Sequence, residues 1–172
     1  DRIIALVLTM ASSLILGMGL PTAAAYILVA TLTAPALVTM GVDLMAAHMF
    51  VFYSAMLSSI TPPVALAAFA AAAISREPPM QVAMISVKYG FVAFLLPYFF
   101  VLEPRLLLMG TLGEAIGVFL MAAIGIVTLA CVLQGYAMGS LSWLTRAVLA
   151  VASLCLLTVS YTHLTLPTSN DV

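Results

Sequence analysis

Neutral oxygen donors cluster at two places where the apolar chain is interrupted. Thr22 closes the run Gly17-Met18-Gly19-Leu20-Pro21-Thr22, and Ser58, Ser59 and Thr61 stand in Ser58-Ser59-Ile60-Thr61-Pro62-Pro63. Hydroxyls and backbone carbonyls with no carboxylate alongside suit a small hard cation such as Na⁺ better than a proton. Unpaired N–H groups at the starts of helices suit an anion. The candidate cation ligands are Gly17, Thr22, Ser59, Ile60 and Thr61, partly through backbone oxygen; the candidate solute contacts are Thr22, Ser58 and Pro62. The plainer alternative is that the hydroxyls satisfy carbonyls of their own helices while the prolines merely kink them. One break alone favours that alternative. Two breaks so close in sequence favour a binding site, because irregular backbone in hydrocarbon survives only when packed in protein or lining a cavity.

The elements that must carry these residues follow from length and punctuation. A membrane crossing takes about 20 apolar residues. Ile3 to Leu16 is short for that, and the glycines and proline of Gly17–Pro21 end any helix there before a second tract runs from Ala23 to about Met40. Residues 1–43 are therefore either one interrupted span or two half-length arms folded back as a re-entrant hairpin. Residues 44–75 would make a single rod of about 48 Å, more than a bilayer needs. The prolines at 62 and 63 divide it into two half-helices meeting near Ser59–Pro62. Asp43 reads as the cap of the first half, with His48 about one turn further along and near the interface. After the aqueous turn Arg76-Glu77-Pro78-Pro79 come spans at 81–102, with Lys88 in its first turns, at 111–135 and at 142–159, the last anchored by Trp143 and Arg146. Residues 160–172 are polar and Thr-rich, resemble translated adapter sequence, and are expected to be non-native.

Composition fixes the solvent. Of 172 residues, 65% are hydrophobic and 6% charged, and mean hydropathy is +1.28. A water-facing surface needs about a quarter of its residues charged; this one belongs in a lipid bilayer. A net charge of −1 argues against a nucleic-acid partner. Cys131 and Cys155 lie in apolar runs and read as small hydrophobes. The sequence contains no H-E-x-x-H, G-x-S-x-G or Cys/His ligand set, so no enzyme is expected. It opens at Asp1 directly into an apolar run, and is expected to be the C-terminal half of a longer protein.

The runs Gly17-Met18-Gly19-Leu20-Pro21-Thr22-Ala23-Ala24-Ala25-Tyr26-Ile27, Ala34-Pro35-Ala36-Leu37, Ala46-Ala47-His48-Met49-Phe50-Val51-Phe52-Tyr53 and Leu57-Ser58-Ser59-Ile60-Thr61-Pro62-Pro63-Val64-Ala65-Leu66-Ala67 resemble the large permease subunit of TRAP transporters. They are most similar to the TAXI type, in which small and large membrane subunits are often fused. The resemblance covers Asp1 to about Leu108. It implies an all-α integral membrane protein of the ion-transporter superfamily. The chain would be the second inverted repeat of an elevator-type transporter, with a re-entrant helical hairpin and a broken transmembrane helix. It further implies uptake of an organic anion, usually a carboxylate, driven by Na⁺ as coupling ion with no other cofactor. A periplasmic substrate-binding protein and a small membrane subunit would be the partners, in the bacterial inner membrane. Ala23 departs from the pattern, since many relatives carry a second Thr directly after the tip Thr.

Counting Arg76, Lys88 and Arg146 on one side against Arg2 and Arg105 on the other turns the Arg76 side toward the cytoplasm. Two other functional classes stand beside the permease: a transporter of the same superfamily for dicarboxylates or oxyanions that needs no binding protein, and a membrane scaffold that transports nothing.

Overall fold

The structure, a computed structural model, describes residues 2–109, 112–137 and 139–163, which fold as helices joined by turns, with an isolated β-bridge between Tyr136 and Ser140. Seven α-helices follow one another: α1 Arg2–Gly17, α2 Thr22–Thr39, α3 Leu44–Leu57, α4 Leu66–Ser75, α5 Pro79–Leu102, α6 Leu112–Gln134 and α7 Trp143–His163. A single 3-10 turn at Pro104–Leu107 lies between α5 and α6. The chain divides into two compact units, Asp1–Pro104 and Arg105–Val172.

In the first unit, α3 lies at the centre. Ala46, Ala47, Phe50, Val51 and Ala55 are all buried, and α1, α2 and α5 pack around them. Phe50 meets Tyr98 edge-on at 5.3 Å between ring centroids, and Tyr53 meets Phe100 at 5.2 Å, which ties α3 to α5. Helix α1 turns Leu6, Met10, Ser13 and Gly17 inward at helical spacing. Helix α4 packs on α5 through Ala65, Ala68 and Ala83, small residues that let two backbones approach closely where apolar transfer from lipid gives no driving force.

Helix ends follow local chemistry. Helix α2 closes with Gly41 at φ +81°; Gly41 N–H donates to Val38 O at 2.9 Å and Val42 N–H to Leu37 O at 3.1 Å. That pairing satisfies two orphan carbonyls, and the buried Val42 and Leu37 supply the apolar contact that accompanies it. One residue later Asp43 caps α3, its Oδ1 accepting from Met45 N–H at 2.8 Å and Ala46 N–H at 3.2 Å. Helix α5 starts at Pro79, where a missing N–H costs nothing.

In the second unit α6 and α7 pack against one another. Gly135, at φ +74°, closes α6 by the same device, with Tyr136 N–H on Cys131 O. Arg146 reaches from α7 to donate Nε–H to Val132 O at 3.0 Å, placing a cation at the negative end of α6. Cys131 and Cys155 form no disulfide. Helix α7 runs on through Ser160 to His163, so the segment expected to be a non-native tail begins as helix; its remainder, 164–172, lies outside the described residues.

Three described helices, Thr22–Thr39, Pro79–Leu102 and Ala115–Gln134, are long and apolar enough to cross a membrane. Helix α5 starts at Pro79, two residues ahead of the expected start at 81, and Lys88 lies nine residues beyond that start.

Candidate functional site

Helices α1 and α2 are joined by the four residues Met18–Pro21, and the turn bonds itself locally. Met18 N–H donates to Ile15 O and Leu20 N–H to Gly17 O, both at 3.3 Å. Gly19 takes φ +79°, which an L side chain rarely adopts. Pro21 precedes α2 with no side-chain cap, and Thr22 opens the helix with its side chain exposed.

The second interruption is longer. Helix α3 stops at Leu57 and α4 starts at Leu66. Between them three successive N–H groups, those of Ser59, Ile60 and Thr61, donate back to Met56, Leu57 and Ser58 carbonyls at 3.1–3.3 Å, in tightening i→i+3 turns. Pro62 and Pro63 have no N–H to continue the ladder. The chain then re-enters helix through Ala65, held at φ +39° and fully buried. The first turn of α4 reaches back across the gap: Ala67 N–H donates to Ser59 O at 2.9 Å.

The two interruptions touch. A Cβ added to Gly17 would stand 2.7 Å from Ser58 Oγ, 3.2 Å from Ser58 Cβ and 3.3 Å from Ala55 O. Only a glycine permits that approach. Beside it, Gly19 faces Val64 at 3.7 Å by the same measure. Helix α5 closes the far side, where Gly90 leaves room for the Ile60 side chain; a Cβ there would fall 2.9 Å from Ile60 Cδ1. Thus Gly17 and Ser58 are brought together and Ile60 is held against α5. Thr22, three residues beyond Gly19, remains exposed on the α2 side.

The hydroxyls behave as the plainer alternative requires. Ser58 Oγ donates to Ala55 O at 2.6 Å, Ser59 Oγ to Met56 O at 2.7 Å and Thr61 Oγ1 to Leu57 O at 2.7 Å. Each proton is thereby committed to the C-terminal carbonyls of α3. What each hydroxyl has left is lone pairs, at the negative end of a helix. Local satisfaction and cation affinity are compatible here. The carbonyls are less available: Ser58, Ser59 and Thr61 oxygens accept from Thr61, Ala67 and Ala65 N–H respectively.

Other polar contacts surround the site and have no obvious sequence signal. Tyr26 Oη and His48 Nδ1 lie 2.9 Å apart, linking α2 to α3. His48 also lines a cavity of about 520 Å³ with Ala30, Thr31, Ala34, Pro35, Leu44 and neighbours on α2. Ser13, one turn below Gly17 on α1, buries a hydroxyl that has no hydrogen-bond partner among the described residues. No group of three or more His, Cys, Asp or Glu gathers to hold a metal among the described residues. A cation at the breaks would be held by neutral oxygen.

Comparison with protein families decides the kinship. The model of the tripartite ATP-independent periplasmic transporter DctM component matches residues 1–115. The chain belongs to the DctM family. That match spans both interruptions and the whole of α1 to α5, so the Gly17–Ser58 contact lies inside the shared region. Searches of curated proteins and of solved structures gave no match. DctM chains are permease components of transporters and not enzymes, and the apolar helices agree with a place in the membrane.

Proposed function

We propose that this DctM chain supplies half of the transport site of a sodium-coupled importer of organic anions, most simply carboxylates. The observation that carries the reading is the packing of Gly17 on Ser58, which joins the α1–α2 tip to the gap between α3 and α4. Na⁺ is held by the lone pairs of Ser59 and Thr61 with Thr22 and backbone oxygen of Gly17 and Ile60. The solute carboxylate faces the uncapped first turn of α2 at Thr22, with Ser58 and Pro62 forming the opposing wall. In this reading α1–α2 is a re-entrant hairpin and α3–α4 a broken transmembrane helix, together the second inverted repeat of an elevator-type carrier in a bacterial inner membrane. A periplasmic binding protein delivers the anion, and a small membrane subunit, fused or separate, completes the assembly.

The test is uptake by the complete transporter in sealed vesicles under an imposed sodium gradient. Ser59→Ala and Thr61→Ala each raise the sodium concentration for half-maximal uptake several-fold, about 1 kcal/mol per lost ligand. Sodium dependence identical to the parent in both variants would take these hydroxyls out of the ion site.

A further inference from the structure

Ser13 is fully buried on α1, and no described residue bonds its hydroxyl. The local acceptor one turn back is already taken. Thr9 O accepts from Ser12 Oγ at 3.0 Å and, within the helix, from the N–H of Ser13 itself. Two buried hydroxyls of α3 are in the opposite condition. Ser54 Oγ donates to Phe50 O and Ser58 Oγ to Ala55 O, both at 2.6 Å, so each keeps lone pairs and has no proton left to give.

The register of the α1–α3 seam brings the three hydroxyls together. Helices α1 and α2 are joined by a four-residue turn and pack on one another. Tyr26, near the start of α2, meets Phe52, near the end of α3, at 5.5 Å between ring centroids. Both pairs are therefore antiparallel, and α1 runs parallel to α3. Gly17 abuts Ser58. Steps of four, three and four residues back from that contact give Ser13, Met10 and Leu6 on α1, and Ser54, Val51 and Ala47 on α3, all of them buried. Ser13 and Ser54 thus share a level, about 6 Å of axis before the Gly17–Ser58 contact. Two serines fill less of the seam than the Met10–Val51 pair one turn earlier, a difference on the order of the 30 Å³ that a water takes up. The helices packed on α1 are α2 and α3, both within the first unit.

We infer that Ser13, Ser54 and Ser58 hold a single buried water between α1 and α3. The water accepts the Ser13 proton and donates its own two to Ser54 Oγ and Ser58 Oγ, which makes the roughly three hydrogen bonds usual for a buried water. A direct bond from Ser13 would serve one of the two acceptors; a water serves both. It also joins the α1 arm to α3 beside the gap through bonds that neither helix makes alone. The inference rests on the packing of the first unit and holds whether or not the chain moves sodium.

The experiment is a density map of the complete transporter in sodium-free choline buffer, at a resolution that shows ordered water, with thermal unfolding of variants beside it. One peak is expected about 2.8 Å from each of Ser13, Ser54 and Ser58 Oγ. A peak that appears only when sodium is added, or a Ser13 hydroxyl turned onto the Met10 carbonyl with no peak beside it, overturns the inference. In the unfolding arm Ser13→Ala lowers the midpoint by about 2 °C, because the water loses its one donor. Ser54→Ala then costs less in the Ser13→Ala background than in the parent. A hydroxyl left without any partner predicts the reverse, since its deletion relieves a desolvation cost. An unchanged or raised midpoint in Ser13→Ala, or additive effects of the two substitutions, overturns the inference as well.

Discussion

At Gly17 a hydrogen atom separates two polypeptide segments that lie forty residues apart in sequence. Gly17→Ala would push a methyl group to 2.7 Å from Ser58 Oγ, with Ala55 O close behind at 3.3 Å. One obstacle is a side chain and the other is backbone, so the site yields only in part. The expected cost is about 1–3 kcal/mol, the usual range for overpacking, read as a lower unfolding temperature in detergent together with reduced uptake. Ser58→Ala in the same chain removes the nearer obstacle and recovers part of the loss; a double-mutant cycle measures the coupling. Additive effects in that cycle would mean that tip and gap are not in contact. Gly90 makes a useful contrast. The atom it meets is the far end of the Ile60 side chain, which can swing aside, so Gly90→Ala is the milder change.

Helix ends in this chain were legible from residue types, whereas the contacts between helices were not. Gly17, Gly19 and Pro21, and later Pro62 and Pro63, announced interruptions because each removes either a steric restraint or a hydrogen-bond donor. Asp43 announced a cap for the same kind of local reason, and the structure gives it two backbone donors. Spacing says nothing about partners further away: no periodicity links Tyr26 to His48, or Gly17 to Ser58. The start of α5 lies two residues ahead of the expected 81. Pro79 at the first helical position was the signal for that earlier start. The α2–α3 junction offers a clean check on this local logic. Gly41 has nothing within 4 Å of an added Cβ, so Gly41→Ala tests the left-handed backbone alone. A loss of about 1 kcal/mol is expected, and a smaller one for Gly41→Asn. Asp43→Ala should cost about 1 kcal/mol by loss of the cap. Thermal unfolding of the three variants in one detergent separates the two devices, and equal stability for Gly41→Ala and the parent would contradict the φ of +81°.

At the scale of the whole molecule, membrane residence was evident in the shortage of charge, and kinship to the DctM component rests on residues 1–115. The single hydrogen bond from Ala67 N–H to Ser59 O bears on how such a carrier would work. It spans the gap between α3 and α4 like a stitch across a torn seam, so flexing the two half-helices about the prolines would cost that bond, about 1 kcal/mol. Amide exchange at Ala67 should then be as slow as in the interior of α4, and remain so when the carrier changes the side of the membrane it faces. A carrier that kept this bond throughout its cycle would open at the margins of the segment and not at its waist.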